Sequence, residues 1–269
     1  MLVRLTGIGA IVAFATTSVF GQVSYRFRNF SINDGLSQSS VTTIVQDEVG
    51  TLWLGTQDGL NRFDGQQFEV FTSDDTKGLA SSYIHCGLKA QSGELWFGTA
   101  DGISIYDPKK ESFRSLLASD ENNLSIESIS EEYNGNIWVG SSTHGLAKYE
   151  KATKKIAFLT GAIPSKRIHY IKFVTNDDLI VSFEDVGVYV YNLRTKSWKS
   201  LAPPKLQKTW LVSDVEAFTG TSFVFSSNEG LWLFDTKNRA LLPFLKFIGK
   251  DYGVEEFSDV YVKSVNEFY

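Results

Sequence analysis

The chain predicts an all-β fold made of repeated four-stranded antiparallel units, and three observations carry that prediction. One phrase recurs: TLWLGTQDGLNRFD at residues 51–64, ELWFGTADGISIYD at 94–107 and NIWVGSSTHGLAKY at 136–149. Its tryptophans, Trp53, Trp96 and Trp138, are 43 and 42 residues apart. A period just over forty residues long, filled with short apolar runs and turn residues, is the length of one propeller blade. No stretch after residue 22 keeps a helical period over three turns, which leaves strands to fill that period. The fold class expected is therefore a β-propeller, in which each blade buries its faces against its neighbours.

The elements follow in order. Residues 1–21 read as a secretory signal peptide: Arg4, an apolar run over 8–15, then small residues up to Gly21. The run is short for a membrane span, so cleavage before Gln22 is expected, with an uncleaved anchor as the alternative. In the first blade VTTIVQ (41–46), LWLG (52–55), LNRFD (60–64) and FEVF (68–71) are the four strands. Asp64-Gly65 suits a tight hairpin between the last two, because the glycine accepts positive φ. Asp107-Pro108 serves the second blade through its fixed φ. The tryptophans and their aliphatic neighbours are expected between sheets, with sugar stacking as the alternative.

Aligning on the glycine of the phrase (Gly59, Gly102, Gly145) finds two diverged copies, DLIVSFEDVGVYVYN at 178–192 centred on Gly187 and SFVFSSNEGLWLFD at 222–235 centred on Gly230. There Ile180 and Val224 replace the tryptophan, and Ser182 and Ser226 replace the glycine seen at Gly55, Gly98 and Gly140. Asp64, Asp107 and Asp235 close the third strands. Five blades are expected at about 41–71, 82–116, 125–159, 167–201 and 212–245, with a sixth beginning near 257. Residues 26–31 read as an outer strand without its own blade. These features together describe five repeats plus part of a sixth, an incomplete seven-bladed propeller over 22–269 with exposed flanks.

Composition excludes several functions. A net charge of −5, scattered along the chain, leaves no basic stripe for nucleic acid. Lys109-Lys110 and Lys154-Lys155 fall at expected hairpin tips. Cys86 is the single cysteine, so no intramolecular disulfide forms; a small buried hydrophobe is its expected role. His85, His144 and His169 match no sequential metal motif, although repeats could bring His85 and His169 to similar heights on alternate blades. Glu131-Glu132 are adjacent and point to opposite faces of a strand. No catalytic residue, metal or cofactor is expected.

Binding residues are sought on the loops of one face, where fourth strands lead into first strands and second into third. Tyr83 and His85 come from the second repeat, Thr143 and His144 from the third, and Lys166, Arg167, His169 and Tyr170 from the fourth. Trp210 lies outside the repeat pattern and is expected to be exposed. Ligand recognition and simple solvation of the rim both stay open for these side chains.

The segment FSINDGLSQSSVTTIVQDEVGTLWLGTQDGLNRFDGQQFEVF closely resembles the two-component regulator propeller repeat. The matching residues are Gly35, Leu36, Ser37, Val41, Ile44, Asp47, Gly50, Leu52, Trp53, Gly55, Thr56, Gly59, Leu60, Phe63, Asp64 and Gly65. The resemblance implies the periplasmic sensing region of a membrane-bound hybrid histidine kinase or diguanylate cyclase, here without its output domain. It implies that the chain is not itself an enzyme. The partners it implies are a glycan or other small periplasmic ligand, the remaining blades and output domains of a full-length sensor, and a second copy in a homodimer. Two other readings stay open: a secreted propeller enzyme resembling streptogramin lyases, with His85 and His169 as its weak candidates, and a protein-interaction scaffold.

Overall fold

Five four-stranded antiparallel sheets follow one another along the chain in the computed structural model, which describes residues 28–116, 124–201, 206, 210–244, 262–264 and 267–268. The expected leader lies outside these residues. Blade 1 contains β1 (Val41–Gln46), β2 (Leu52–Thr56), β3 (Gly59–Phe63) and β4 (Phe68–Phe71). Blade 2 contains β5 (Ile84–Lys89), β6 (Leu95–Thr99), β7 (Gly102–Asp107) and β8 (Ser112–Leu116). Blade 3 contains β9 (Ile126–Glu131), β10 (Ile137–Ser141), β11 (Gly145–Glu150) and β12 (Lys155–Phe158). Blade 4 contains β13 (Ile168–Phe173), β14 (Asp178–Phe183), β15 (Gly187–Asn192) and β16 (Ser197–Ser200). Blade 5 contains β17 (Val212–Thr219), β18 (Ser222–Ser227), β19 (Gly230–Asp235) and β20 (Ala240–Pro243). Strand order within each sheet is sequential, so every connection is a hairpin.

The core lies between blades. The second strands β6, β10 and β14 are buried along their whole length, whereas the outer strands β12 and β16 alternate between exposed and half-buried residues. Each tryptophan packs on a third-strand tyrosine of the next blade: Trp53 on Tyr106 at 4.5 Å, Trp96 on Tyr149 at 5.0 Å, and Trp138 on Tyr191 at 6.0 Å between ring centres. Burying one such ring stabilises by roughly 4–6 kcal/mol on area grounds. In blade 4 Ile180 stands in the tryptophan's place and shares a buried cluster with Phe234 of blade 5.

The motif glycines of the second strands mark close approach. A β-carbon on Gly55 would stand 2.7 Å from Ile84 Cγ2, one on Gly98 2.5 Å from Cys86 Sγ and 2.8 Å from Ile126 Cγ2, and one on Gly140 2.5 Å from Ile168 Cγ2. Ile84, Ile126 and Ile168 each open the first strand of the next blade. In blade 4 the position is Ser182, the facing residue is the smaller Val212, and Ser182 Oγ accepts the Val212 N–H at 3.0 Å. The threonine or serine that follows has a separate task. Thr56, Thr99 and Ser227 each accept an N–H two residues on and donate to the carbonyl of Gly59, Gly102 or Gly230, closing the turn.

Several expectations change. Asp64-Gly65 does not make a two-residue hairpin: four residues separate β3 from β4, and Asp64 Oδ1 accepts the N–H groups of Gln66 and Gln67 at 2.8 and 2.9 Å. In blades 2 to 5 the equivalent hairpins place Glu111, Lys154, Lys196 and Arg239 at φ of +49°, +57°, +54° and +50° just before the outer strand. Residues 28–31 form no strand; the Phe30 ring instead packs edge-on against Phe63 and Phe68 of blade 1, and a 3-10 turn (Ile32–Asp34) capped by Ser31 follows. The next stretch docks the chain, as Ser37 N–H donates to Asn61 Oδ1 at 2.8 Å and its hydroxyl meets Thr56 Oγ1 at 2.8 Å. Near the C-terminus, β21 (Val262–Ser264) pairs with β22 (Glu267–Phe268) as a small hairpin rather than one continuous first strand. Residues 257–261 lie outside the described residues.

Candidate functional site

Every blade carries a bulge at the same place. The pairing of first with second strand skips one residue between Val41 and Thr43, between Ile84 and Cys86, between Ile126 and Ser128, between Ile168 and Tyr170, and between Val212 and Asp214. The skipped residues are Thr42, His85, Glu127, His169 and Ser213, the second residue of each first strand. A bulge re-aims the unpaired side chain out of the sheet's alternation. The first strands pack side by side in chain order, so the five bulges set one polar side chain per blade at a common height on one face.

The best-developed part of this set bridges blades 2 and 3. His85 Nδ1 lies 3.2 Å from Glu127 Oε2, and Ser125 Oγ lies 3.4 Å from His85 Nε2 while donating to Glu127 Oε1 at 2.6 Å. Ser142 Oγ, from the turn between β10 and β11, donates to Glu127 Oε1 at 2.9 Å. Burial by itself would raise the Glu127 carboxyl. The hydrogen bonds from His85, Ser125 and Ser142, with the His85 charge, outweigh it and hold the group down at about 2. Tyr83 stacks flat on His85 at 4.3 Å between ring centres, and its hydroxyl accepts from Gln57 Nε2 of blade 1 at 3.1 Å.

The polar chain continues around the rim. His144 sits in the same turn as Ser142, with Nδ1 2.7 Å from Thr143 Oγ1 and its ring 5.6 Å from Phe158. The Lys166 backbone lies beside Gly145. Arg167 pairs with Glu184 at 2.6 Å, and Ser165 donates to Asp185 at 3.0 Å. His169 shares the bulge register of His85 two blades away, although both stand on strands and not on loops. Tyr83, His85, His144, Lys166 and Arg167 thus belong to one face and one run of contacts, from Gln57 to Glu184.

Two expected rim residues do not belong to it. Trp210 is fully buried: its Nε1 donates to Ser227 Oγ at 3.0 Å and its ring packs on Phe225 and Trp232 in the cluster between blades 4 and 5. Tyr170 lies within β13 and braces blade 5. Its hydroxyl donates to Asp214 Oδ1 at 3.0 Å and accepts from Val215 N–H at 3.2 Å, and burial, with Asp214 beside it, pushes its ionisation well above the usual tyrosine value. Burial likewise raises the Cys86 thiol to about 12, so it is no nucleophile at neutral pH. Among the described residues no three His, Cys, Asp or Glu side chains group as a metal site. The repeat pattern does not mark Glu127, Ser125 or Ser142: the bulge that re-aims Glu127 leaves no trace in the sequence, and the two serines lie outside the first strand.

Residues 35–58 match the family described as "Two component regulator propeller". Over 74 residues the chain is 39% identical to Histidine kinase P4 of Formosa agariphila, an alignment that spans 26% of this chain and 5% of the kinase. Among solved structures, the extracellular domain assigned to hybrid two component system BT3049 of B. thetaiotaomicron superposes with a TM-score of 0.69 at 22% identity, covering 80% of this chain and 31% of that one. A streptogramin B lyase superposes at 0.60 and 15% identity over 77% of this chain and 69% of its own. At these identities the superpositions describe a shared fold. With the repeat matched in its first blade and the same architecture carried through the next four, the chain resembles two-component regulator propellers in its repeat and in its fold.

Proposed function

We propose that this chain is the extracytoplasmic ligand-sensing propeller of a two-component signalling protein, and that it recognises a glycan or another small polar ligand at the bulge face. The observation that carries the reading is the shared bulge register, which sets Thr42, His85, Glu127, His169 and Ser213 on one face beside the Tyr83 ring. Paired donors and acceptors next to an exposed aromatic suit hydroxyl-rich ligands. Location outside the cytoplasm rests on the leader-like residues 1–21 and on the extracellular domains that share the fold. On this reading the chain binds and transmits, and catalysis belongs to an output domain elsewhere in the signalling protein.

The test is a melting-temperature screen of the purified chain against mono- and oligosaccharides. A ligand that binds the folded state raises the transition in a saturable way. The expected result is a rise with one glycan class that is lost in His85→Ala and in Glu127→Gln. An equal rise in both variants would move recognition off this face. Cell fractionation with N-terminal sequencing checks location: a product beginning near Gln22 is expected, and a cytosolic product that retains Met1 would refute export.

A further inference from the structure

Blades 1 to 3 bury a tryptophan at one register, and each indole N–H needs an acceptor. Trp53 Nε1 donates to Asp47 Oδ2 at 3.2 Å and Trp138 Nε1 donates to Glu132 Oε2 at 3.2 Å. Asp47 and Glu132 occupy the same structural position. The Asp47 N–H donates to the Thr51 carbonyl and the Asp47 carbonyl accepts the Gly50 N–H, and Glu132 makes the matching bonds with Asn136 and Gly135. In blade 2 the same pair of turn bonds is made by Ala90, with Glu94 and Gly93. Alanine therefore stands where the acid stands next door, and the buried Trp96 Nε1 has no partner among the described residues. Blade 4 has lost both members together, to Val174 and Ile180, and Val174 still closes its turn on Asp178. Blade 2 keeps the indole without the acid. Leaving a buried donor unpaired is destabilising, which points to an acceptor from outside the chain.

The space around this position is open. Trp96 and Ala90 line a cleft of about 720 Å³ between blades 2 and 3, on the face opposite the bulges. That is within the size range of small-molecule sites. Of the cations lining it, Lys110 and Arg114 are paired with Asp107 and Glu94, while Lys109, Lys151 and Lys154 have no ion pair among the described residues. Glu48 and Glu131 also line it; Glu131 Oε2 accepts the Gln91 N–H at 2.9 Å. The Arg114 guanidinium lies over the Trp96 ring at 5.8 Å from its centre, on a long, partly exposed side chain paired with Glu94.

We propose that this cleft binds a small organic carboxylate, whose oxygen takes the place that Asp47 and Glu132 fill in the neighbouring blades, accepts from the Trp96 indole and is neutralised by Lys151 and Lys154. The site is separate from the bulge face and does not depend on recognition there.

The test follows the Trp96 indole N–H signal in the 15N-tryptophan-labelled chain, assigned by its loss in Trp96→Phe. Glucuronate and succinate are titrated, with glucose and inorganic sulfate as controls. A saturable shift with the carboxylates, absent with glucose and weaker with sulfate, is expected. Ala90→Asp supplies the acid internally; it should move the Trp96 signal in the same direction and weaken carboxylate binding at least about tenfold. Lys151→Gln combined with Lys154→Gln, on exposed positions, should weaken binding several-fold and carries the test if Ala90→Asp does not fold. No saturable shift up to about 20 mM carboxylate, an equal response to sulfate, or unchanged affinity in a folded variant of either kind would each overturn the proposal.

Discussion

Gly140→Ala probes the closest contact between blades. A methyl there would stand 2.5 Å from Ile168 Cγ2 and 3.3 Å from Ile171 Cγ2. Both facing side chains are fully buried and stiff at χ1, so neither swings aside. Replacing a strand glycine by alanine gains about 0.5–1 kcal/mol of backbone entropy, while forcing a methyl into a packed interior costs about 1–3 kcal/mol. The expected net loss is about 0–2.5 kcal/mol from the difference of those terms. Ile168→Ala alone should cost about 2–5 kcal/mol through the cavity it opens. In the double variant the new methyl moves into space that Ile168 has vacated, so the combined loss should fall short of the sum by about 1–2 kcal/mol. Urea unfolding of all four proteins, followed by tryptophan fluorescence, measures this, with slopes compared because repeat arrays can unfold in steps. Additivity within about 0.5 kcal/mol would refute the contact.

Asp47→Ala removes the acceptor of Trp53 and of the Val49 and Thr51 N–H groups; a loss of about 1–3 kcal/mol is expected in urea unfolding, and Asp47→Asn should lose less. Lys196→Gly relieves a left-handed φ of +54° and should raise stability by about 1 kcal/mol, where a lowered melting temperature would contradict the strain argument. Glu127 sits at about 2 in the folded chain against a usual 4.5. Its contribution is therefore complete above pH 4.5 and fades as the pH falls toward 2, by at most about 3 kcal/mol. Stability measured across that window should drop more steeply in the parent than in Glu127→Gln, and parallel curves would refute the network. Trp210→Phe should raise the acrylamide-quenchable fraction of fluorescence, since it removes a shielded emitter; a fall in that fraction would show Trp210 exposed.

The blades were legible because their signal is local. A tryptophan two residues before a glycine, with a second glycine four or five residues further on, fixes which strand is inner, where it turns and which face is buried. Trp53, Trp96 and Trp138 accordingly lie between sheets. The site was legible only by region. A bulge moves a side chain off the strand's alternation, and the sequence prints no mark at Glu127 or His85 to show that the pairing skips them. Trp210 defeated the reading for a related reason. It lies outside the repeat phase, so periodicity assigned it no partner, yet it closes the gap between blades 4 and 5 against Phe225. Tyr170 looked like a rim residue because it follows His169, but alternation turns it toward Asp214.

Among the described residues, neighbouring sheets share no ladder. Their first strands are joined by single side chains that reach a neighbour's backbone: Thr42 to the Ile84 carbonyl, Ser128 to both the N–H and the carbonyl of Ile171, Ser130 to the Phe173 N–H, and Tyr170 to the Val215 N–H. A joint of that kind is encoded in one codon, and rewriting it leaves the copied backbone of both units intact. A duplicated unit can therefore drift far in sequence before its sheet notices. Blades 4 and 5 illustrate such drift: the tryptophan is gone from the phrase, the glycine has become serine, and the hairpins still close at Gly187 and Gly230. Inheritance in this architecture works joint by joint, which gives the array room to change its surface while it keeps its shape.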